Sequence, residues 1–280
     1  MKPNFIVVGA AKSGTTWLYT CLKEHPEIFV PKNKELHFFS YPRLYKQGIE
    51  WYESFFPDTI TEKAVGEISP SYLPTPDVPS RIHEYNPKIR LICILRNPIE
   101  RAYSHYCMDM GIGKVSRDIN SGLTLDCPYV TWGLYHSQVT ELMNLFSPEQ
   151  IKIYLFDDLK KNPDLLLQDL YSYLEVDNSF SPSFLFTPKN TQKSLPKFPK
   201  MYNYLRGVYQ RLVPISGGLL TELRLKGYLN LFHKLNQGDE FPKLSKEKEK
   251  TLARFYQQDV TALSKIIDRD LSFWLEPYLG

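Results

Sequence analysis

Four short apolar runs punctuate the first part of the chain: FIVVGA (5–10), KAVGEI (63–68), IRLICILR (89–96) and IKIYLF (151–156). None alternates apolar with polar positions. Near-continuous hydrophobicity over so few residues is what a parallel strand needs when both faces of its sheet are covered. Between and after these runs the spacing becomes helical. From Gly14 to Glu24, the residues Trp17, Leu18, Cys21 and Leu22 recur as one helix face. Asn97-Pro98 supplies an N-cap followed by proline at the first helical position, opening a helix to about Met110. Asn162-Pro163 repeats that grammar ahead of DLLLQDLYSYL. Strands alternating with helices predict an α/β fold with an open parallel sheet flanked by helices.

Beyond about residue 180 the strands are expected to stop. SPSFLFTPKNTQKSLPKFPK (181–200), rich in Pro, Lys and Asn, reads as irregular. Helices follow, the clearest from Ser245 to Ile267, where Leu252, Phe255, Tyr256, Leu263 and Ile266 form an apolar stripe. The charge run KLSKEKEK (243–250) is its solvated entry. No linker is visible, so residues 1–280 are expected to form one domain: an α/β core over about 1–180 and an irregular, mainly helical part over about 181–280.

Hydrophobic content of 42% and charged content of 23% are those of an ordinary globular chain. The net charge of +3 is too small for wholesale nucleic-acid binding, so any anion site must be local. No stretch approaches the roughly 18 apolar residues of a membrane span. The opening MKPNFIVVGA runs straight into a strand; no signal peptide and a cytoplasmic location are expected. Cys21, Cys93, Cys107 and Cys127 are scattered, without a C-x-x-C pair or a His at metal spacing, which predicts reduced thiols and no metal site.

The first run ends at Gly9, four residues intervene, and Gly14 opens the first helix. That is the frame of a phosphate loop, and the expected fold is P-loop-like. A helix N-terminus offers free N–H donors and partial positive charge to a phosphate or sulfate. A nucleoside-triphosphate loop places its Lys after the second glycine, where this chain has Thr15; the lysine is displaced forward to Lys12. No strand ends in an obvious acidic partner for magnesium. Hydrolysis of ATP or GTP is therefore disfavoured. A second motif, IRLICILRNPIERAYSHY, puts Arg96 at a strand end and Ser104 about two helical turns beyond Asn97. In an open α/β sheet, ligands sit at the carboxyl ends of strands, so Lys12 and Arg96 should share a rim. Two separate anion sites suit a nucleotide phosphorylated at two distant positions.

Together AAKSGTTW and LRNPIERAYSHY resemble the sulfotransferases that use 3'-phosphoadenosine 5'-phosphosulfate. KELHFFS (34–40), GEISPSYL (66–73), GLYHSQV (133–139), FDDLKKNPDLLLQDLYSYLEV (156–176) and the closing DLSFW (270–274) agree with that family. The resemblance implies that Lys12 contacts the oxygen bridging phosphate and sulfate, that Ser13, Gly14, Thr15 and Thr16 hold the 5'-phosphate, and that Arg96 and Ser104 hold the 3'-phosphate. It implies adenosine 3',5'-bisphosphate as product, with no metal. Trp17 either stacks on adenine or is a core aromatic of the first helix.

For the base that removes the acceptor proton, KELHFF resembles the segment in which glycosaminoglycan-type and many bacterial sulfotransferases carry a catalytic glutamate, here Glu35. His37, two residues on in a segment expected to be extended, would point to the same side and bind the acceptor or share the proton. The alternative for Glu35 is an ion pair with Lys34. One departure stands out: where glycosaminoglycan-type members often show E-K-[ST]-P-x-Y, this chain has Ile68 in place of the lysine. Lys193 and Lys197 are candidates to close over the nucleotide. His25, His83, His105, His136 and His233 show no pairing and read as structural or solvent-facing. The expected function is sulfuryl transfer to a hydroxyl or amine of a carbohydrate, lipid, metabolite or carrier-bound acceptor, with no nucleic-acid partner. The alternatives are a non-catalytic nucleotide-binding protein of the same fold and a P-loop kinase.

Overall fold

The computed structural model describes residues 2–56, 61–183, 194–197 and 237–279. All four apolar runs become strands of one parallel sheet: β1 (Phe5–Gly9), β3 (Ala64–Ile68), β4 (Arg90–Leu95) and β5 (Ile151–Leu155). A two-residue strand, β2 (Ile28–Phe29), completes the order β2-β3-β1-β4-β5; it is too short to leave an apolar run in the sequence. Every residue of β1 and β3 is buried. Alternate side chains of β1 go to opposite faces: Ile6 and Val8 join one core cluster, Phe5 and Val7 the other. Two covered faces explain why the pattern showed no alternation.

The helices that matter for the site are α1 (Thr15–Glu24), α2 (Val78–Tyr85), α3 (Pro98–Gly111), α4 (Tyr135–Leu145), α5 (Phe156–Lys161), α6 (Pro163–Tyr173) and α7 (Lys246–Ile266). Asn97 caps α3 as expected, its Oδ1 accepting from the N–H groups of Ile99 at 2.9 Å and Glu100 at 3.3 Å. Its amide donates to the carbonyl of Trp274, which anchors the closing DLSFW beneath the site. α6 begins at Pro163, but Asn162 makes no cap hydrogen bond, because α5 runs almost directly into it. On α7, Leu252, Tyr256 and Leu263 are buried with Ala253 and Val260, while Phe255 and Ile266 pack from the edge.

The strands do not stop at residue 180. β6 (Ser194–Pro196) and β7 (Gln237–Glu240) form an antiparallel ribbon, apart from the main sheet. SLP and QGDE carry no apolar run; backbone hydrogen bonds pair the two strands, and Leu195 enters the core. Lys197 is exposed at its end; Lys193 and His233 lie outside the described residues. Among the described residues, no helix is long and apolar enough to cross a membrane.

Candidate active site

With every strand of the main sheet parallel, the loops after β1, β3, β4 and β5 share one rim. After β1 the chain turns through Lys12 (φ 70) and Gly14 (φ 89), both left-handed. Gly14 sits at the N-cap of α1 with no side-chain cap, so the first-turn N–H groups keep the free valence of an anion site. A Cβ added at Gly14 would come within 2.9 Å of Leu159 and 3.2 Å of Phe156. Gly14→Ala therefore combines left-handed strain with crowding. We expect it to cost about 1–2 kcal/mol, read as a lowered urea midpoint; an unchanged midpoint would contradict the crowded turn.

Ser13 is fully buried and its Oγ has no hydrogen-bond partner among the described residues. A buried hydroxyl left unpaired is costly, and the loop retains one where a ligand oxygen would satisfy it. Lys12 Nζ lies 3.5 Å from the Met108 sulfur and has no carboxylate at ion-pair distance among the described residues. Burial, then the neighbouring Arg96 charge, push its pKa down, against the pull of Glu35 and Asp109.

Arg96 follows β4 on the same rim, and its Nη1 donates to the Lys12 carbonyl at 3.1 Å. Its Nε and Nη2 hold Glu100 at 3.1 and 2.8 Å, and the guanidinium lies 4.7 Å from the Phe156 ring centroid. Tyr135, opening α4, fixes the backbone there by donating to the Arg96 carbonyl at 3.0 Å. Ser104 is half-buried on α3. Trp17 takes the core alternative: it is 7% exposed within the cluster of Phe5, Leu18 and Leu22, leaving little ring for a base to stack on.

Beside Ser104, His105 packs against Tyr129 and Trp132 and meets Arg101 Nη1 at 3.3 Å. Burial, then the Arg101 charge, push its pKa from 6.5 down to about 4. The unfolded chain takes up this proton first, so the stability from neutral His105 is complete above about pH 6.5 and is lost as pH falls towards 4. The loss is at most about 1.4 kcal/mol per pH unit. Urea midpoints between pH 7 and 4.5 should fall less steeply for His105→Asn than for the parent; parallel curves would contradict this.

The segment bearing Glu35 and His37 is not extended, contrary to expectation: Glu35 (φ 68) and His37 (φ 55) are both left-handed. The loop curls onto the end of β3, where the Glu35 N–H meets the Ile68 carbonyl at 3.1 Å and the His37 N–H meets Ser69 Oγ at 3.2 Å. The curl still brings the two side chains together, His37 Nε2 lying 3.5 Å from Glu35 Oε2. Lys34 donates to the other Glu35 oxygen, so the ion-pair alternative is also realised. His37 Nδ1 is 2.8 Å from Ser71 Oγ, and burial holds its pKa below the ordinary value. Tyr41 stacks on the imidazole at 4.6 Å. Six non-glycine residues among those described have positive φ, and Lys12, Glu35 and His37 are three of them. Backbone strain gathered on such residues is a mark of functional loops.

Sequence reasoning missed Ser71 and Tyr41, the two supports of His37. Ser71 lies in a segment quoted for resemblance and Tyr41 directly after one, but only the curl brings them to the imidazole. Ile68 is buried in the core cluster of Phe5 and Leu18.

A parallel open sheet with a glycine-bearing strand–helix turn is a P-loop-like nucleotide fold, and its rim sets Lys12 and Arg96 side by side. The family model of the sulfotransferase domain matches residues 2–200, and the chain belongs to that family. It is 29% identical over 250 residues to heparan sulfate glucosamine 3-O-sulfotransferase 5 of Mus musculus, covering 84% of this chain and 70% of that protein. It is 27% identical over 306 residues to bifunctional heparan sulfate N-deacetylase/N-sulfotransferase 4 of the same organism, covering 99% of this chain but 31% of that longer protein. The crystal structure of a sulfotransferase from Alicyclobacillus acidocaldarius superimposes with a TM-score of 0.73 at 26% identity, over 98% of this chain and 99% of that one. The protein is accordingly an enzyme of sulfuryl transfer.

Proposed function

We propose that the protein transfers a sulfuryl group from 3'-phosphoadenosine 5'-phosphosulfate to a carbohydrate hydroxyl or amine, by in-line displacement. The observation that carries the donor assignment is a buried Ser13 hydroxyl next to Lys12, a partly buried cation, neither of them with a hydrogen-bonding or carboxylate partner, respectively, among the described residues. Ser13, Gly14, Thr15 and Thr16 hold the 5'-phosphate at the N-terminus of α1, and Arg96 with Ser104 holds the 3'-phosphate. Lys12 stabilises the charge that appears on the leaving phosphate oxygen. Glu35 accepts the acceptor's proton, and His37 orients that carboxylate from 3.5 Å away.

Two features support a carbohydrate acceptor of modest charge. The relatives act, by name, on heparan sulfate, one as a glucosamine 3-O-sulfotransferase and the other as an N-deacetylase/N-sulfotransferase. Ile68 stands where glycosaminoglycan-type members often have a lysine, while Tyr41, 42% exposed and stacked on His37, offers an apolar face to a sugar ring. Incubation of radiolabelled phosphosulfate with neutral and with highly sulfated glucosamine oligosaccharides tests this. We expect label in the neutral acceptors. Label confined to the sulfated ones would overturn the acceptor reading, and label in none would remove carbohydrate from it.

A further inference from the structure

The end of β3 holds a buried acid that the chemistry above does not use. Glu67 is 1% exposed and receives three hydroxyl protons: from Tyr52 at 3.0 Å and Tyr72 at 2.8 Å on Oε1, and from Ser69 at 2.6 Å on Oε2. Tyr52 comes from the short helix Ile49–Glu53, so the carboxylate ties that helix to the segment that follows β3. A hydroxyl has a single proton and two lone pairs. Once Ser69 and Tyr72 spend that proton on Glu67, their oxygens act as acceptors only. What they accept are the backbone N–H groups of His37, at 3.2 Å, and Phe39, at 3.3 Å. The direction of two hydroxyls, set by one carboxylate, thus decides whether the His37 and Phe39 amides have an acceptor.

That loop needs the support. Glu35 and His37 both sit in left-handed backbone, a conformation that persists only where the surroundings over-determine it. Burial raises the Glu67 pKa, while the three hydroxyls and the Leu36 N–H oppose that rise by favouring the ionised form. We propose that Glu67 is a positioning residue for sulfuryl transfer: as a carboxylate it orients the Ser69 and Tyr72 hydroxyls, whose oxygens hold the His37 and Phe39 amides and so set where Glu35 and His37 stand. The inference rests on the reading of Glu35 and His37 as the proton-removing pair.

Glu67→Gln keeps the shape but replaces one acceptor oxygen with a donor NH₂, which turns a hydroxyl proton back towards the loop amides. The His37 and Phe39 amides should then exchange with solvent at least about tenfold faster, while those of α1 are unaffected. Sulfuryl transfer from labelled phosphosulfate to a glucosamine oligosaccharide should fall at least about tenfold in kcat, with affinity for adenosine 3',5'-bisphosphate held within about twofold. A residue needed only for folding would lower both together. Ser69→Ala removes the His37 acceptor while leaving the carboxylate in place with its Tyr52 and Tyr72 bonds. It should reproduce the kcat-only loss, and serves as the deciding variant if Glu67→Gln does not fold.

Unchanged exchange at His37 and Phe39 would overturn the proposal, and that readout needs no acceptor. Faster exchange with full transfer would also overturn it. In that case Glu35→Gln, measured alongside, separates the two readings. If Glu35→Gln is inactive, the base assignment stands and Glu67 merely packs. If it too is active, Glu35 is not the base, and the reading on which this inference rests fails first.

Discussion

Glu35→Gln slows the chemical step by about 10²–10⁴-fold while adenosine 3',5'-bisphosphate binds with nearly its parental affinity. The carboxylate oxygens face Lys34 and His37, and neither is a residue assigned to the nucleotide. Removing the acceptor for the proton therefore costs turnover and leaves donor binding alone. Glutamine is isosteric and the Glu35 side chain is 39% exposed, so the fold should tolerate it. The check is kcat beside a calorimetric Kd for the bisphosphate. If Glu35→Gln retains kcat, the base is His37, and His37→Ala should then show the loss instead.

Lys12→Ala damages both quantities. In the proposed assignment the ammonium acts on the bridging oxygen, where it would attract the bound nucleotide and, more strongly, the leaving phosphate. Loss of one such preorganised donor typically removes about 10²–10³ in kcat, and here the bisphosphate Kd should rise at least about tenfold as well. The free enzyme should not be destabilised, since the partly buried cation has no carboxylate at ion-pair distance among the described residues and burial already opposes its charge. Lys12→Arg should not restore activity: a planar fork at left-handed backbone cannot reproduce a point charge. Melting curves without ligand and titrations with the bisphosphate distinguish the two effects. A loss of stability without loss of affinity would contradict the assignment.

The contrast between these residues shows what the chain made legible. Strands β1, β3, β4 and β5 were visible because a sheet covered on both faces demands uninterrupted apolar runs, and Gly9, Gly14 and Asn97 marked the turns that follow. Lys12 and Arg96 could be placed on one rim because parallel strands present their ends together. The curl of residues 35–40 could not be read, since left-handed backbone at Glu35 and His37 leaves no mark in side-chain spacing. Its cause lies in Ser69, Ser71 and Tyr72, more than 30 positions away. Trp17 carried two roles on one helix face, and only packing against Phe5 and Leu22 chose between them. The β6–β7 ribbon escaped notice because its pairing rests on the backbone and its strands, SLP and QGDE, hold no apolar run.

The central claim is that one rim carries two anion sites, at Lys12–Ser13 and at Arg96, matched to a nucleotide with phosphates at separate positions. A thermal melt with adenosine 3',5'-bisphosphate, beside Mg-ATP and AMP, tests it most directly. At about 100 times its Kd a ligand adds roughly 2.7 kcal/mol, which for a chain of this size raises Tm by about 5–10 °C. The account predicts that rise with the bisphosphate, and little with AMP or Mg-ATP. A rise with Mg-ATP and none with the bisphosphate would contradict it.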